Sequence, residues 1–317
     1  MPSEEPAIKR TLGPAAPAVL ALLLLTAFFM LPLFGPFLIL VMPVPLAYSW
    51  VRYGLYNFVA AVAVCLGFTV FGGGFPVVTT MAAAVCLISY FLADGVKADA
   101  AFDLTVLKAA LAPVVVLGPV LVAYLLFAGV DPFAVLNASF ERGLKESVDL
   151  YKQMGMSQAD IDSVMPPLRL MKGMLVDYFP ALLVCLSAVM SFTSGYLLRL
   201  HAARAGVITL PDVPLNRWAA PDHAVWGVIV PGFLLIPEVP VLRQAAGNVL
   251  GVFALVYMFQ GIAVVSSVFD RFKLSWFFKA LGWLLIALQP FLALAVWCAG
   301  LADTWADFRK VRVKAGK

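Results

Sequence analysis

Long apolar runs dominate this chain, broken by proline, glycine and short polar stretches. A helix crossing roughly 30 Å of hydrocarbon needs about 20 predominantly apolar residues. A window of that length finds nine candidates, near 15–31, 33–50, 55–75, 76–93, 105–129, 175–199, 223–242, 246–269 and 277–301. Two are interrupted. Segment 33–50 holds Gly35, Pro36, Pro43 and Pro45; segment 223–242 holds Pro231, Pro237, Glu238 and Pro240. Proline removes a backbone donor and clashes with the preceding turn. Such breaks survive at membrane depth only where protein or a water-filled cavity covers the freed carbonyls. These two segments are therefore expected to be kinked or short helices, or elements lining a cavity.

One stretch is patterned differently. Residues 131–174 carry 11 charges in 44 positions. Asp131-Pro132 reads as a helix start, with Asp as N-cap and Pro at the first helical position. Phe140, Leu144, Val148 and Tyr151 recur at helical spacing, with Glu141, Lys145, Glu146, Asp149 and Lys152 covering the other faces. Gly155 is a plausible C-cap, and Ser157 starts a second helix with Asp160 in its first turn. The expectation is a helical cap outside the membrane. Its five basic and six acidic residues suit anionic lipid poorly.

Composition removes the soluble alternatives. Of 317 residues 63% are hydrophobic and 13% charged, and the mean hydropathy is +0.96. Residues 11–93 contain a single charge, Arg52. The predicted fold is an all-α polytopic transmembrane helix bundle of eight to nine apolar segments, with a small helical extramembrane insert. Its parts are 1–130 (N-terminal transmembrane helices), 131–174 (amphipathic helical loop), 175–301 (C-terminal transmembrane helices) and 302–317 (basic interfacial tail). In the tail, Trp305 and Phe308 suit the headgroup level, followed by Arg309, Lys310, Arg312 and Lys314. The N-terminal apolar run is not expected to be a cleaved signal, because more apolar sequence follows at once. Lys/Arg counts tie at eleven a side for nine crossings. If 223–242 does not cross, they favour cytoplasmic termini by fourteen to eight.

Chemistry is sparse. Cys65, Cys86, Cys185 and Cys298 stand one per apolar segment, so no disulfide framework or zinc site is expected. Asp94-Gly95 with Asp99 and Asp103 faintly resembles the metal-binding carboxylates of CDP-alcohol phosphotransferases, but that motif needs Ala-Arg after its Asp-Gly and Lys97-Ala98 stand there, so a polar loop is expected. Ser191, Ser194 and Gly195 lie on the same segment as His201, so they suit helix packing better than a serine–histidine pair. Asp177 has no carboxylate partner for a dyad. There is no phosphate loop, dinucleotide fingerprint or basic stripe for nucleic acid. The chain is expected to be no enzyme and to need no cofactor or metal. What remains are polar residues inside apolar text. Gln260, Tyr257, Gln289, Glu238 and Asn248 are the candidate lining of a polar cavity between helices. Gln260 is expected to face the interior with Gln289 as partner.

Tyr257-Met-Phe-Gln260-Gly261-Ile-Ala-Val-Val-Ser266 and Gly300-Leu-Ala-Asp303-Thr-Trp305-Ala-Asp307-Phe308-Arg309 resemble the C-terminal signature of YybS-like bacterial membrane proteins. Leu210-Pro-Asp-Val-Pro-Leu-Asn-Arg217-Trp218 and the Pro-rich lead into Arg52-Tyr53-Gly54 extend the likeness. That family is a domain of unknown function, so the resemblance implies a multi-pass protein of the bacterial inner membrane without naming a substrate. The N-terminal half looks like the substrate-binding subunits of energy-coupling-factor vitamin transporters at fold level. Two functions follow as expectations: binding or transport of a small solute, or a non-catalytic scaffold or regulator holding a membrane or cytoplasmic protein partner. The lipid bilayer is the partner common to both.

Overall fold

Where the apolar runs are unbroken, the chain forms long helices; where proline interrupts them, it forms short ones. The computed structural model describes residues 13–31, 34–71, 76–208 and 215–311. Its helices are α1 (Ala16–Met30), α2 (Gly35–Leu38), α3 (Pro43–Tyr53), α4 (Leu55–Phe71), α5 (Pro76–Lys97), α6 (Phe102–Phe127), α7 (Pro132–Gln153), α8 (Gln158–Asp177), α9 (Phe179–Arg204), α10 (Trp226–Leu234), α11 (Pro240–Arg271), α12 (Trp276–Leu288) and α13 (Pro290–Ala306). Two 3-10 turns, Leu215–Arg217 and Asp222–Val225, precede α10. The tail residues Arg312 and Lys314, and positions 210–214 of the Pro-rich motif, lie outside the described residues.

Among the described residues four helices are long and apolar enough to cross a bilayer: α5 from Val78, α6, α9 and α11. The pair α12–α13, bent by 103°, would make a fifth. The sequence expectation of eight to nine segments thus resolves into fewer long helices. Helices α1 and α4 are apolar but hold only 15 and 17 residues. Segment 33–50 becomes α2 and α3, with the chain between them in turns. Segment 277–301 is not one helix either: Pro290 lacks the N–H that would continue α12, and Gln289 takes an extended conformation.

The chain divides into two compact units, residues 1–139 with 186–210, and residues 140–185 with 211–317. Contacts define these units, whereas the four-part sequence division follows composition. In the first unit the core gathers Leu46, Phe58, Ile88, Leu92, Ala109 and Leu198. Its broken segment is held by hydroxyls. Val44 N–H bonds to the Val41 carbonyl, and the Leu40 carbonyl accepts from Ser194 Oγ at 2.7 Å. Ser89 Oγ lies 3.1 Å from the Pro43 carbonyl and 2.7 Å from that of Val85. Ser191 is buried on the same helix as Ser194, so these serines pack helices, as their spacing suggests.

In the second unit, Phe140, Leu144, Val148 and Tyr151 are the half-buried face of α7, while Glu141, Lys145, Glu146, Asp149 and Lys152 are exposed. Lys172 of α8 reaches back to Glu141 at 2.6 Å. Ser157 caps α8 by accepting the Asp160 N–H.

Candidate functional site

Gln260 lies within α11, about 30 Å from Pro240 and about 16 Å from Arg271 along the helix at 1.5 Å per residue. It is fully buried. A primary amide offers two donors and a carbonyl, and leaving them unmet in an apolar interior costs several kcal/mol. Both ends are met. Oε1 accepts the Ala220 backbone N–H at 3.1 Å, and Nε2 donates to Asp303 Oδ2 at 3.1 Å. Ala220 belongs to the irregular stretch between the two 3-10 turns, so the amide fastens non-helical backbone to a span.

Asp303 stands near the end of α13, with its side chain 2% exposed. Its Oδ2 also accepts from Arg309, from Nε at 3.2 Å and Nη2 at 2.7 Å. The third nitrogen of that guanidinium, Nη1, donates to the carbonyls of Asn216 and Trp218, each at 2.8 Å. Arg309 thus ties the return from α13, the irregular stretch and Asp303 into one centre, with its side chain 4% exposed. Arg309, expected as part of a basic interfacial tail, has its side chain buried against Asp303. A planar fork of donors can satisfy a carboxylate and two backbone carbonyls at once, and removing it would leave a charge in an apolar interior. Trp305 and Phe308 do remain exposed, as an aromatic belt requires. Asp303 Oδ1 is buried with no partner among the described residues.

The helices beneath this centre touch through backbone. A methyl on Gly261 would fall on the Val296 carbonyl, and one on Gly300 on the Tyr257 carbonyl. Small residues permit such close approach where lipid offers no hydrophobic gain for association. Tyr257 is fully buried at the same contact.

The other candidates stand apart. Gln289 is exposed at the bend between α12 and α13, where its carbonyl accepts the N–H groups of Leu292 and Ala293. It does not meet Gln260. The break at Pro290 carries Gln289 away, and Asp303 takes the role expected of it. Glu238 is exposed in the turn between α10 and α11. Asn248 serves two helix ends: Oδ1 accepts the Ala181 N–H at 2.9 Å, and Nδ2 donates to the Asp177 carbonyl at 2.8 Å. These are orphan groups of the start of α9 and the end of α8.

A second polar group surrounds Asp270 at the end of α11. Lys279 Nζ lies 2.6 Å from Oδ1 and Asn216 Nδ2 lies 2.7 Å from Oδ2. Among the described residues no group of His, Cys, Asp or Glu could hold a metal ion. Sequence reasoning missed Asp303 and Arg309 as partners of Gln260. The available signal was an acidic residue three positions after Gly300, still in phase with the apolar helix.

No curated protein and no solved structure matches the chain. A family of predicted membrane proteins matches residues 18–304, from α1 to just past Asp303 and short of Arg309. With its apolar helices and a match over nearly its whole length, the chain is a multi-pass membrane protein and belongs to the DUF2232 family.

Proposed function

We propose that this protein is a non-catalytic component of a bacterial cytoplasmic membrane that binds or moves a small polar solute at the Gln260–Asp303–Arg309 centre. One observation carries the reading. Asp303 gathers three donors on Oδ2 and leaves Oδ1 buried without a partner among the described residues. Buried polar atoms are normally hydrogen-bonded, and a solute N–H or O–H would meet this one. Arg309 already balances the carboxylate charge, so a neutral or zwitterionic donor suits it better than a bare cation. Ionisable residues inside spans mark solute paths by default, and broken segments border such sites. The sequence likeness of the N-terminal half to energy-coupling-factor subunits points the same way, by fold analogy.

Native mass spectrometry of protein extracted with lipid tests this. A small molecule should copurify, and Gln260→Leu should release it while insertion stays intact. Unchanged retention in that variant would reduce Gln260 to interhelical glue, worth about 0.6 kcal/mol.

A second reading, a scaffold holding a protein partner, is favoured by the exposed Leu150, Met154, Leu170, Met171 and Met174 on α7 and α8. A copurifying protein that survives Gln260→Leu but is lost with Met171→Glu/Met174→Glu would select it.

A further inference from the structure

The bent pair α12–α13 has two physical readings: a re-entrant loop, returning to the side it left, or a broken crossing. Contacts within the second unit discriminate between them, independently of the solute reading. Stepping back one turn along α11, from Gly261 to Tyr257, moves the contact forward one turn along α13, from Val296 to Gly300. The two helices therefore run antiparallel. Gln260 and Asp303 obey the same register, because side chains lean towards the N-terminus of their own helix. Asp303 leans up α13 while Gln260 leans down α11, and the two meet.

Helix α12 behaves differently. Lys279 and Trp283 reach only the last residues of α11: Lys279 bonds Asp270, and the Trp283 ring lies 5.5 Å from that of Phe269. A methyl on Gly282 would also meet the Phe269 ring. So α12 does not descend along α11. With α13 antiparallel to α11 and the pair bent by 103°, α12 lies close to perpendicular to both. Its surface suits that attitude. Trp276, Phe277, Phe278, Leu281, Leu284, Leu285 and Leu288 are all exposed, and Lys279 is its single charge. A helix with aromatic residues on its open faces rests at the boundary between headgroups and acyl chains.

We propose that α12 is an interfacial helix bound to the lipid surface at the Asp270 end of α11, and that α13 alone makes the last crossing. Two side assignments follow. Asp177, Tyr178 and Ala181 meet α11 at Gln244, Gly247 and Asn248, so the α8–α9 junction lies at the opposite end of α11 from Asp270. By the same register the end of α13 lies opposite about residue 251 of α11, so the chain leaving α13 heads away from Asp270, towards the side of the α7–α8 hairpin and Glu238, while the Arg309 side chain reaches back to Asn216.

Single cysteines in full-length protein, with Cys65, Cys86, Cys185 and Cys298 replaced, test the arrangement. Ser275→Cys, Phe308→Cys, Met154→Cys and Glu238→Cys are first shown to react in permeabilised membranes. In sealed vesicles of known orientation, an impermeant maleimide should reach positions 308, 154 and 238 from one side and 275 from the other. Positions 275 and 308 reacting from the same side would establish the re-entrant loop and overturn the proposal. Fluorophores on Trp276→Cys and Trp283→Cys, one helical face apart by seven residues, should be quenched alike by shallow spin-labelled lipid. A depth difference of about 10 Å, the rise over seven residues, would show α12 dipping inward and would also overturn it.

Discussion

Both compact units hold backbone that leaves the helical ladder, and they meet its polar groups by different chemistry. In the first, serine hydroxyls from α5 and α9 reach the Pro43 and Leu40 carbonyls. In the second, an arginine, a carboxylate and an amide converge on residues 216–220. A hydroxyl is small, neutral and cheap to leave unused. A buried ion pair is held only while every member is present, because a lone charge left in an apolar interior is strongly unfavourable. The same backbone problem therefore has a tolerant solution in one unit and an all-or-none solution in the other.

The sharpest way to break this contrast is to remove one charge. Arg309→Leu should cost about 3–5 kcal/mol by stranding Asp303, read as loss of thermal stability in nanodiscs. Adding Asp303→Leu should recover most of that loss, because two well-packed apolar residues often replace a buried pair at little cost. If the double variant is no better than the single, the ion pair is not what fastens the second unit.

Glycine contacts sharpen the comparison at the next scale. At Gly261 a methyl meets the rigid Val296 carbonyl, whereas at Gly195 it meets the side chains of Leu92 and Phe102 at 3.1 and 3.2 Å. Gly261→Ala should cost about 1–3 kcal/mol as overpacking. Gly195→Ala should cost measurably less, since side chains shift more readily than backbone. Denaturation in mixed micelles ranks the two, and equal losses would erase the distinction.

Ser194→Ala removes one neutral donor from the Leu40 carbonyl. Its expected cost is about 0.6 kcal/mol, typical of hydrogen bonds inside membranes, and insertion should be unaffected. A loss comparable to that of Arg309→Leu would contradict the tolerant character assigned to the first unit.

The smallest effect lies in the charged α7–α8 hairpin. The hydrogen bond and charge of Lys172 hold the Glu141 carboxyl below its usual value. A depressed carboxylate contributes stability above its unfolded pKa and loses it as pH falls through the lower, folded value. Protection of the α7 and α8 amides, measured relative to their intrinsic exchange rates at each pH, should therefore fall slightly in acid, and this acid-induced change should vanish in Lys172→Gln. An equal response in that variant would remove the Glu141–Lys172 pair as its cause.

The sequence made some of this legible and hid the rest for physical reasons. The amphipathic face of α7 could be read directly, because Phe140, Leu144, Val148 and Tyr151 keep one period through a charged background. Burial of Gln260 could also be anticipated, since an amide in the middle of a long apolar run has few alternatives. Its partner could not. Charges near the end of an apolar segment normally mark emergence from lipid, and Asp303 and Arg309 look like such charges. Only the turn at Gln289, which starts α13 afresh and carries its far end beside Gln260, turns them inward. Which apolar segments form a single span-length helix was not legible, because hydropathy counts apolar residues and not unbroken hydrogen-bonded length.

The position of Asp303 in the chain has a consequence for biogenesis. Residues 216–220 and Gln260 precede it, so one of the two side chains that bind its carboxylate, and the backbone that Gln260 fastens, are synthesised before it enters the membrane. Arg309 follows by only six residues, and it has not yet been joined to the chain when Asp303 leaves the peptidyl-transfer centre. Charge neutralisation is therefore a closing event, completed after the rest of the second unit has been made. A chain stopped between residues 303 and 309 would carry every apolar helix and an uncompensated acid at its end, and the cell's membrane quality control would meet it as an orphan.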